Sequence, residues 1–283
     1  MEQKSLNIMV GGEAGFGIMA SGLLLIRTFS RGGLKAITIN DYPSLIRGGH
    51  NVILVRVANH EIFATDNFAD ILIALNRETI DLHKDEVVDG AAIVYDNESF
   101  QVTLNDFPKK VNLYPVPLMK LAKVGGGDVL MRNTVALGST LALTDYGIDL
   151  LEGVIRDQFG RKGDEVVKKN MILAQSGYDF VKNNYPQGYQ VKLSAKKDSS
   201  KTTDANIKVD KQLVLTGNEA LGLGAIAAGM KFFAAYPMTP INGLLYYLAG
   251  VAEQVGFVYK QPEDEIAGIN MAIGASFAGV RAM

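Results

Sequence analysis

The sequence predicts an α/β protein built in two parts. Over 6–180, short β-branched runs alternate with amphipathic runs, the pattern of βαβ units and a mostly parallel sheet. A polar stretch with no hydrophobic period follows, and strand, turn and helix signals then begin again. The expected boundaries are an α/β domain over 1–185, a linker over 186–210, and the first part of a second α/β domain over 211–283.

Within the first part, the strands are expected at 6–10, 36–40, 52–57, 71–75 and 91–95, each a short β-branched run. Apolar spacing near 3.6 places helices at 18–32, at 128–146 with a break near Gly138, and at 149–159. The segment from Ser194 to Asp204 is Ser-, Thr- and Lys-rich and offers nothing to bury, which marks it as linker. Beyond it, 213–216 reads as a short strand, and Thr216 and Glu219 have capping-box spacing at the start of a helix. A strand at 232–235, a helix at 241–254 and an Ala- and Gly-rich helix at 264–281 complete the pattern. The small residues Ala267, Gly268, Ala272, Gly274, Ala275, Ala278 and Gly279 on that last helix suit close packing against a partner. A parallel sheet begun this way needs more strands to cover its faces, so the expectation is a truncated domain or one completed by a partner.

Composition excludes several chemistries. The 283 residues are 48% hydrophobic and 20% charged, with net charge −2, which is ordinary for a globular protein and offers no basic stripe for nucleic acid. There is no cysteine, so disulfides, thiolate nucleophiles and cysteine-ligated iron–sulfur clusters cannot lie on these residues. His50, His60 and His83 lack the spacing of a metal site. No apolar run is long enough to cross a bilayer and no signal-peptide core follows Met1, so the expected location is cytoplasmic.

Three segments carry chemistry. Gly11-Gly12-Glu13-Ala14-Gly15-Phe16-Gly17 follows the first strand and opens a helix, where backbone amides can cradle a phosphate. Its glycines, Gly11, Gly12, Gly15 and Gly17, do not have the dinucleotide-binding order, although Asp41 stands where a ribose-binding acid would, and a tight turn without ligand is the alternative. Arg47 in Ser44-Leu45-Ile46-Arg47-Gly48-Gly49-His50 sets a cation beside a permissive Gly-Gly pair, suited to an anion or simply solvated. In Ala235-Tyr236-Pro237-Met238-Thr239-Pro240, two prolines restrict the backbone on both sides of one hydroxyl. Glu263-Asp264-Glu265-Ile266-Ala267 then puts carboxylates at a helix start.

The Tyr-Pro-x-Thr-Pro turn and the Glu-rich helix start resemble the substrate end of the α chain of the 2-oxoacid:ferredoxin oxidoreductases. The Gly-Gly-Glu-Ala-Gly-Phe-Gly-Ile and Ile-Arg-Gly-Gly-His segments resemble the γ domain of the same family, fused ahead of the α domain. This resemblance implies a Rossmann-like γ domain followed by the start of a thiamine-fold, pyrimidine-type α/β domain. It also implies CoA-dependent oxidative decarboxylation of a 2-oxoacid, 2-oxoglutarate favoured, to acyl-CoA, CO2 and reduced ferredoxin. Thiamine diphosphate with Mg²⁺ and the iron–sulfur clusters would lie mainly on a partner β subunit, with coenzyme A as co-substrate. By the same resemblance, Thr239, flanked by Tyr236 and Pro237, binds the substrate carboxylate, Glu265 contacts the aminopyrimidine of thiamine, and Arg47 gates the site or senses coenzyme A. The plainer roles are a capping hydroxyl for Thr239, a helix-dipole charge for Glu265 and a surface cation for Arg47. Two rival functions follow from the first domain: a nicotinamide-dependent dehydrogenase, and a coenzyme A-binding scaffold without catalytic groups.

Overall fold

A computed structural model describes residues 4–43, 48–193 and 213–283. Its contacts divide into two compact units, Met1–Asp210 and Lys211–Met283.

Among its described residues the first unit holds six strands: β1 (Ser5–Glu13), β2 (Lys35–Asp41), β3 (His50–Ala58), β4 (Ala69–Ala74), β5 (Val87–Asp96) and β6 (Val111–Val116). They form one sheet in the order β2-β3-β1-β4-β5-β6. β1 is buried from Leu6 to Gly12 because both faces of the sheet are covered there, which is why it reads as a continuous apolar run. The pairs β1–β4, β4–β5 and β5–β6 are parallel. β3, however, runs antiparallel to both β1 and β2 and separates them. This insertion places Asp41 two strands from β1, so it is not on the strand beside the glycine turn, where a ribose-binding acid would have to stand.

Among the described residues, six α-helices accompany the sheet: α1 (Ile18–Arg31), α2 (Arg77–His83), α3 (Leu118–Val124), α4 (Arg132–Leu143), α5 (Asp149–Phe159) and α6 (Asp164–Asn184). The expected break at Gly138 is absent. α4 runs through it, and a Cβ there would lie 1.8 Å from the Ala174 carbonyl oxygen of α6, so the glycine is a contact point between two backbones. α6 reciprocates with Gly177, whose Cβ would lie 2.1 Å from the Val135 carbonyl oxygen. Thr134 donates to Asn170 Oδ1 at 2.9 Å across the same interface. Residues 186–193, expected to begin the linker, pack on this unit instead: Tyr189 and Leu193 are buried, and the Tyr189 amide donates to the Leu143 carbonyl at 2.7 Å. Residues 194–212 lie outside the described ones.

The second unit contains α7 (Gly217–Ala227), β7 (Phe232–Ala234), α8 (Asn242–Val255), β8 (Val258–Lys260) and α9 (Glu265–Phe277). Residues 213–216, expected as a strand, form no ladder and only lead into α7. Thr216 and Glu219 make the expected capping box, the Thr216 hydroxyl accepting from the Glu219 amide and the Glu219 carboxylate accepting from the Thr216 amide. β7 and β8 pair in parallel. α9 stops at Phe277, before the expected 281, because Gly279 takes a left-handed φ of 86°. Residues 281–283 then run along β7: the Ala234 amide donates to the Met283 carbonyl and the Met283 amide to the Phe232 carbonyl. Met230, Phe233, Leu244, Leu245, Leu248 and Phe257 form the core. α9 buries only Gly268 in this unit and leaves Ile266, Ile269, Ile273 and Phe277 exposed.

Candidate functional site

In the second unit, two turns leave the carboxyl ends of neighbouring parallel strands. One follows β7 and carries Tyr236, Pro237 and Thr239; the other follows β8 and leads into α9. Parallel pairing therefore puts Thr239 and Glu265 on the same edge of the sheet, the edge where α/β proteins bind ligands. The turns are also joined, since the Ala235 amide donates to the Lys260 carbonyl at 3.3 Å. Gly268, one turn into α9, is buried beside the end of β7, where a Cβ would meet the Ala234 carbonyl oxygen at 3.8 Å, an ordinary van der Waals contact.

Thr239 is exposed, and its bond to Pro240 is cis. No hydrogen bond occupies its hydroxyl among the described residues. The N-cap of α8 is Ile241, with no side-chain cap, so Thr239 does not serve that helix as a capping hydroxyl. Asn218 of α7 donates to the Pro240 carbonyl at 3.3 Å and holds the turn from outside; its role was hidden in the sequence because α7 and the turn are separate elements.

At the start of α9, Asp264 is the N-cap and accepts the Ala267 amide at 2.7 Å. Glu265 is the first helical residue, exposed and without a hydrogen bond among the described residues. Within this unit Glu265 is open to solvent rather than enclosed. A carboxylate that does no capping, beside exposed Ile266 and Ile269, fits one polar edge of a heteroaromatic ring whose body rests on apolar surface.

In the first unit, the carboxyl ends of β1 and β4 meet where the chain turns in opposite directions along the sheet. Gly12 belongs to β1, and its Cβ would lie 2.8 Å from Ile18 and 3.2 Å from Leu75, so it is there for close packing of α1 and β4. Gly15 and Gly17 take φ values of 87° and 77°, which glycine adopts without strain. The Ala14 amide is committed to the Gly49 carbonyl and the Phe16 amide to the Glu13 carbonyl. What remains for an anion is the start of α1, where Gly17 caps without a side chain and no acid stands in the first turn. Arg132, unforeseen in the sequence, stands beside this turn: its guanidinium is 5.9 Å from the Phe16 ring centre and makes no ion pair among the described residues. Burial lowers its pKa against the opposing pull of Asp96 and Glu13, and its Nε is buried without a partner. Asn133 fixes the turn by donating to the Phe16 carbonyl at 2.6 Å. Arg47 lies outside the described residues; Gly48 and Gly49 after it have φ of 74° and 94°.

Among the described residues, no group of three His, Cys, Asp or Glu side chains could hold a metal ion. No helix among them is long and apolar enough to cross a membrane.

Together these features define an α/β protein with two candidate sites at sheet edges, one at a glycine turn and one at a Thr-Pro turn. Residues 7–180 match the family model of pyruvate ferredoxin/flavodoxin oxidoreductase, and residues 223–283 match the thiamine-diphosphate-binding model of pyruvate flavodoxin/ferredoxin oxidoreductase. The chain belongs to this family. Along its full length it is similar to a structure of 2-oxoglutarate:ferredoxin oxidoreductase from Magnetococcus marinus, determined with 2-oxoglutarate, coenzyme A and succinyl-CoA bound, at 32% identity and a TM-score of 0.85, covering 47% of that chain. It is 23% identical to 2-oxoacid:ferredoxin oxidoreductase 2, subunit alpha, of Aeropyrum pernix over 98% of this chain and 50% of the relative. A shorter match, 49% identical over 70 residues, is to the 2-oxoglutarate synthase subunit KorA of Archaeoglobus fulgidus, covering 25% of this chain and 20% of that one. The chain thus spans about half the length of the full-length relatives it matches.

Proposed function

We propose that the chain supplies the γ-type domain and the pyrimidine-side residues of a 2-oxoacid:ferredoxin oxidoreductase, working with a partner subunit on thiamine diphosphate and coenzyme A. The observation that carries this reading is the shared sheet edge of Thr239 and Glu265, neither of which caps a helix; Glu265 stands in the first turn of α9, where its charge also suits the helix dipole. Similarity to the Magnetococcus enzyme favours 2-oxoglutarate as the oxoacid.

When bound, thiamine supplies a carbon nucleophile and an electron sink for decarboxylation. In this reading the chain's residues position and protonate. The Thr239 hydroxyl donates to the substrate carboxylate from a turn fixed by Pro237, Pro240 and Asn218. Glu265 holds a proton between its carboxyl group and the aminopyrimidine nitrogen, with the apolar side of α9 covered in the complex so that water does not compete. In the first unit, Gly15, Gly17, the start of α1 and the Arg132 guanidinium receive a phosphate of coenzyme A, and Arg47 keeps the gating or coenzyme A-sensing role that the family resemblance implies. These residues include no cysteine, so iron–sulfur clusters, which would carry electrons to ferredoxin in this reading, would be held outside them, by a partner subunit.

The nicotinamide reading loses its support in the sheet order, because antiparallel β3 stands between β1 and β2. The test is viologen reduction by the assembled enzyme. Reduction that requires a 2-oxoacid, coenzyme A and the partner is expected, with 2-oxoglutarate preferred over pyruvate. Reduction by this chain alone would overturn the division of labour, and a preference for pyruvate would overturn the substrate.

A further inference from the structure

His50 opens β3 and His83 closes α2, and their Nε2 atoms lie 3.0 Å apart. On the other side of its ring, His83 Nδ1 is 2.6 Å from Glu86 Oε2, so Nδ1–H donates to the carboxylate. A neutral His83 then has a bare Nε2, and the contact is attractive only if His50 donates from its own Nε2. With both rings neutral, the chain of donors runs from His50 to His83 to Glu86, with one hydrogen between the two Nε2 atoms. His50 Nδ1, at the far end, is buried with no partner.

We propose that His50, His83 and Glu86 form a pH-operated clasp that holds the glycine turn of β1 in place at neutral pH and releases it in acid. If both imidazoles are charged, two N–H groups point at each other across the same gap, and the contact must open. The neighbouring residue transmits that opening: the Gly49 carbonyl accepts the Ala14 amide at 2.8 Å, and Glu13 lies opposite His50 in the β1–β3 register. Gly11 packs against the clasp, where a Cβ would lie 3.2 Å from His50 Nε2 and 2.5 Å from Thr79. Among the described residues, the charged groups facing the pair are acidic: Glu13 on β1, Asp41 at the end of β2, Glu78 on α2 and Glu86 just beyond it. Glu78 and Asp41 favour a charged His50, but burial and the His83 charge outweigh them and hold its pKa below the usual histidine value. The unfolded chain therefore binds the proton more readily; the clasp's contribution is complete above the ordinary histidine pKa and is lost as pH falls toward the folded one.

The clasp can be read in the full 283-residue chain by NMR of the imidazole nitrogens and the Ala14 amide. At neutral pH the two Nε2 atoms should be inequivalent, one protonated and one bare, with scalar coupling across the hydrogen bond. In acid, protection of the Ala14 amide should fall about tenfold per pH unit, the slope of opening linked to one proton. In His83→Gln that acid response should vanish, since glutamine accepts from His50 and does not charge. Independent titration of His50 and His83 at the ordinary histidine value, or an unchanged Ala14 response in His83→Gln, would overturn the clasp. The wild-type measurement decides the matter even if the variant folds poorly.

Discussion

Asp264 and Glu265 are adjacent carboxylates with divided tasks: Asp264 accepts the Ala267 amide at 2.7 Å and caps α9, whereas Glu265, next along, caps nothing. This division makes their substitutions separable. Asp264→Ala should lower the stability of the second unit by about 1 kcal/mol, the usual cost of a lost N-cap. Glu265→Gln should leave it nearly unchanged. Denaturant unfolding followed in both variants checks the pair, and an equal loss in Glu265→Gln would return that residue to a helix-end charge.

Thr239→Val keeps the shape of the turn and removes its donor. A hydrogen bond to a charged group contributes about 1.5–3 kcal/mol, so the assembled enzyme should lose roughly ten- to a hundredfold in kcat/KM for the oxoacid. Steady-state kinetics with saturating coenzyme A reads this directly. An unchanged kcat/KM would leave Thr239 as a turn residue only.

Gly138→Ala should be costly although alanine is the better helix former. Its Cβ has no room against the Ala174 carbonyl, so α4 and α6 must separate, and overpacking of this kind costs about 1–3 kcal/mol or more. A melting temperature equal to that of the parent would contradict the close approach of the two backbones.

Acid should weaken the first unit through Asp106. Arg77 makes paired hydrogen bonds to its carboxylate at 2.8 and 3.2 Å, and with the Thr103 amide this brings the pKa down to about 2. A depressed carboxylate pKa gives stability that is present above the unfolded value and lost as pH falls through the folded one, here between about 4 and 2. Arg77 is 40% exposed, so water screens part of the effect. Asp106→Asn should flatten the acid limb of a stability–pH curve over that window; an unaltered limb would remove the pair from the account.

Local signals made much of this molecule legible. β-branched runs located β1 to β5, the spacing of Thr216 and Glu219 located the start of α7, and the Tyr236–Pro240 turn and Glu265 fell on one sheet edge because each follows a strand. α6 is harder to read because Asn170, Ala174 and Gly177, small or polar, interrupt the apolar stripe of Val167, Leu173 and Val181 on its buried face. Antiparallel β3 was equally hidden, since a strand's direction depends on which neighbours it pairs with. The His50–His83 contact spans two elements with no sequence signature, and Arg132 needed the packing of α4 beside the glycine turn before it had a role.

The central claim is that Glu265 acts on thiamine, and proton exchange at the thiazolium carbon in the assembled enzyme tests it most directly. Glutamine keeps the size and hydrogen-bonding end of Glu265 but cannot hold the proton. Glu265→Gln should slow that exchange, and turnover with it, by about a hundredfold or more while thiamine diphosphate stays bound, in line with general acid–base contributions. Exchange at the wild-type rate in Glu265→Gln would contradict the assignment.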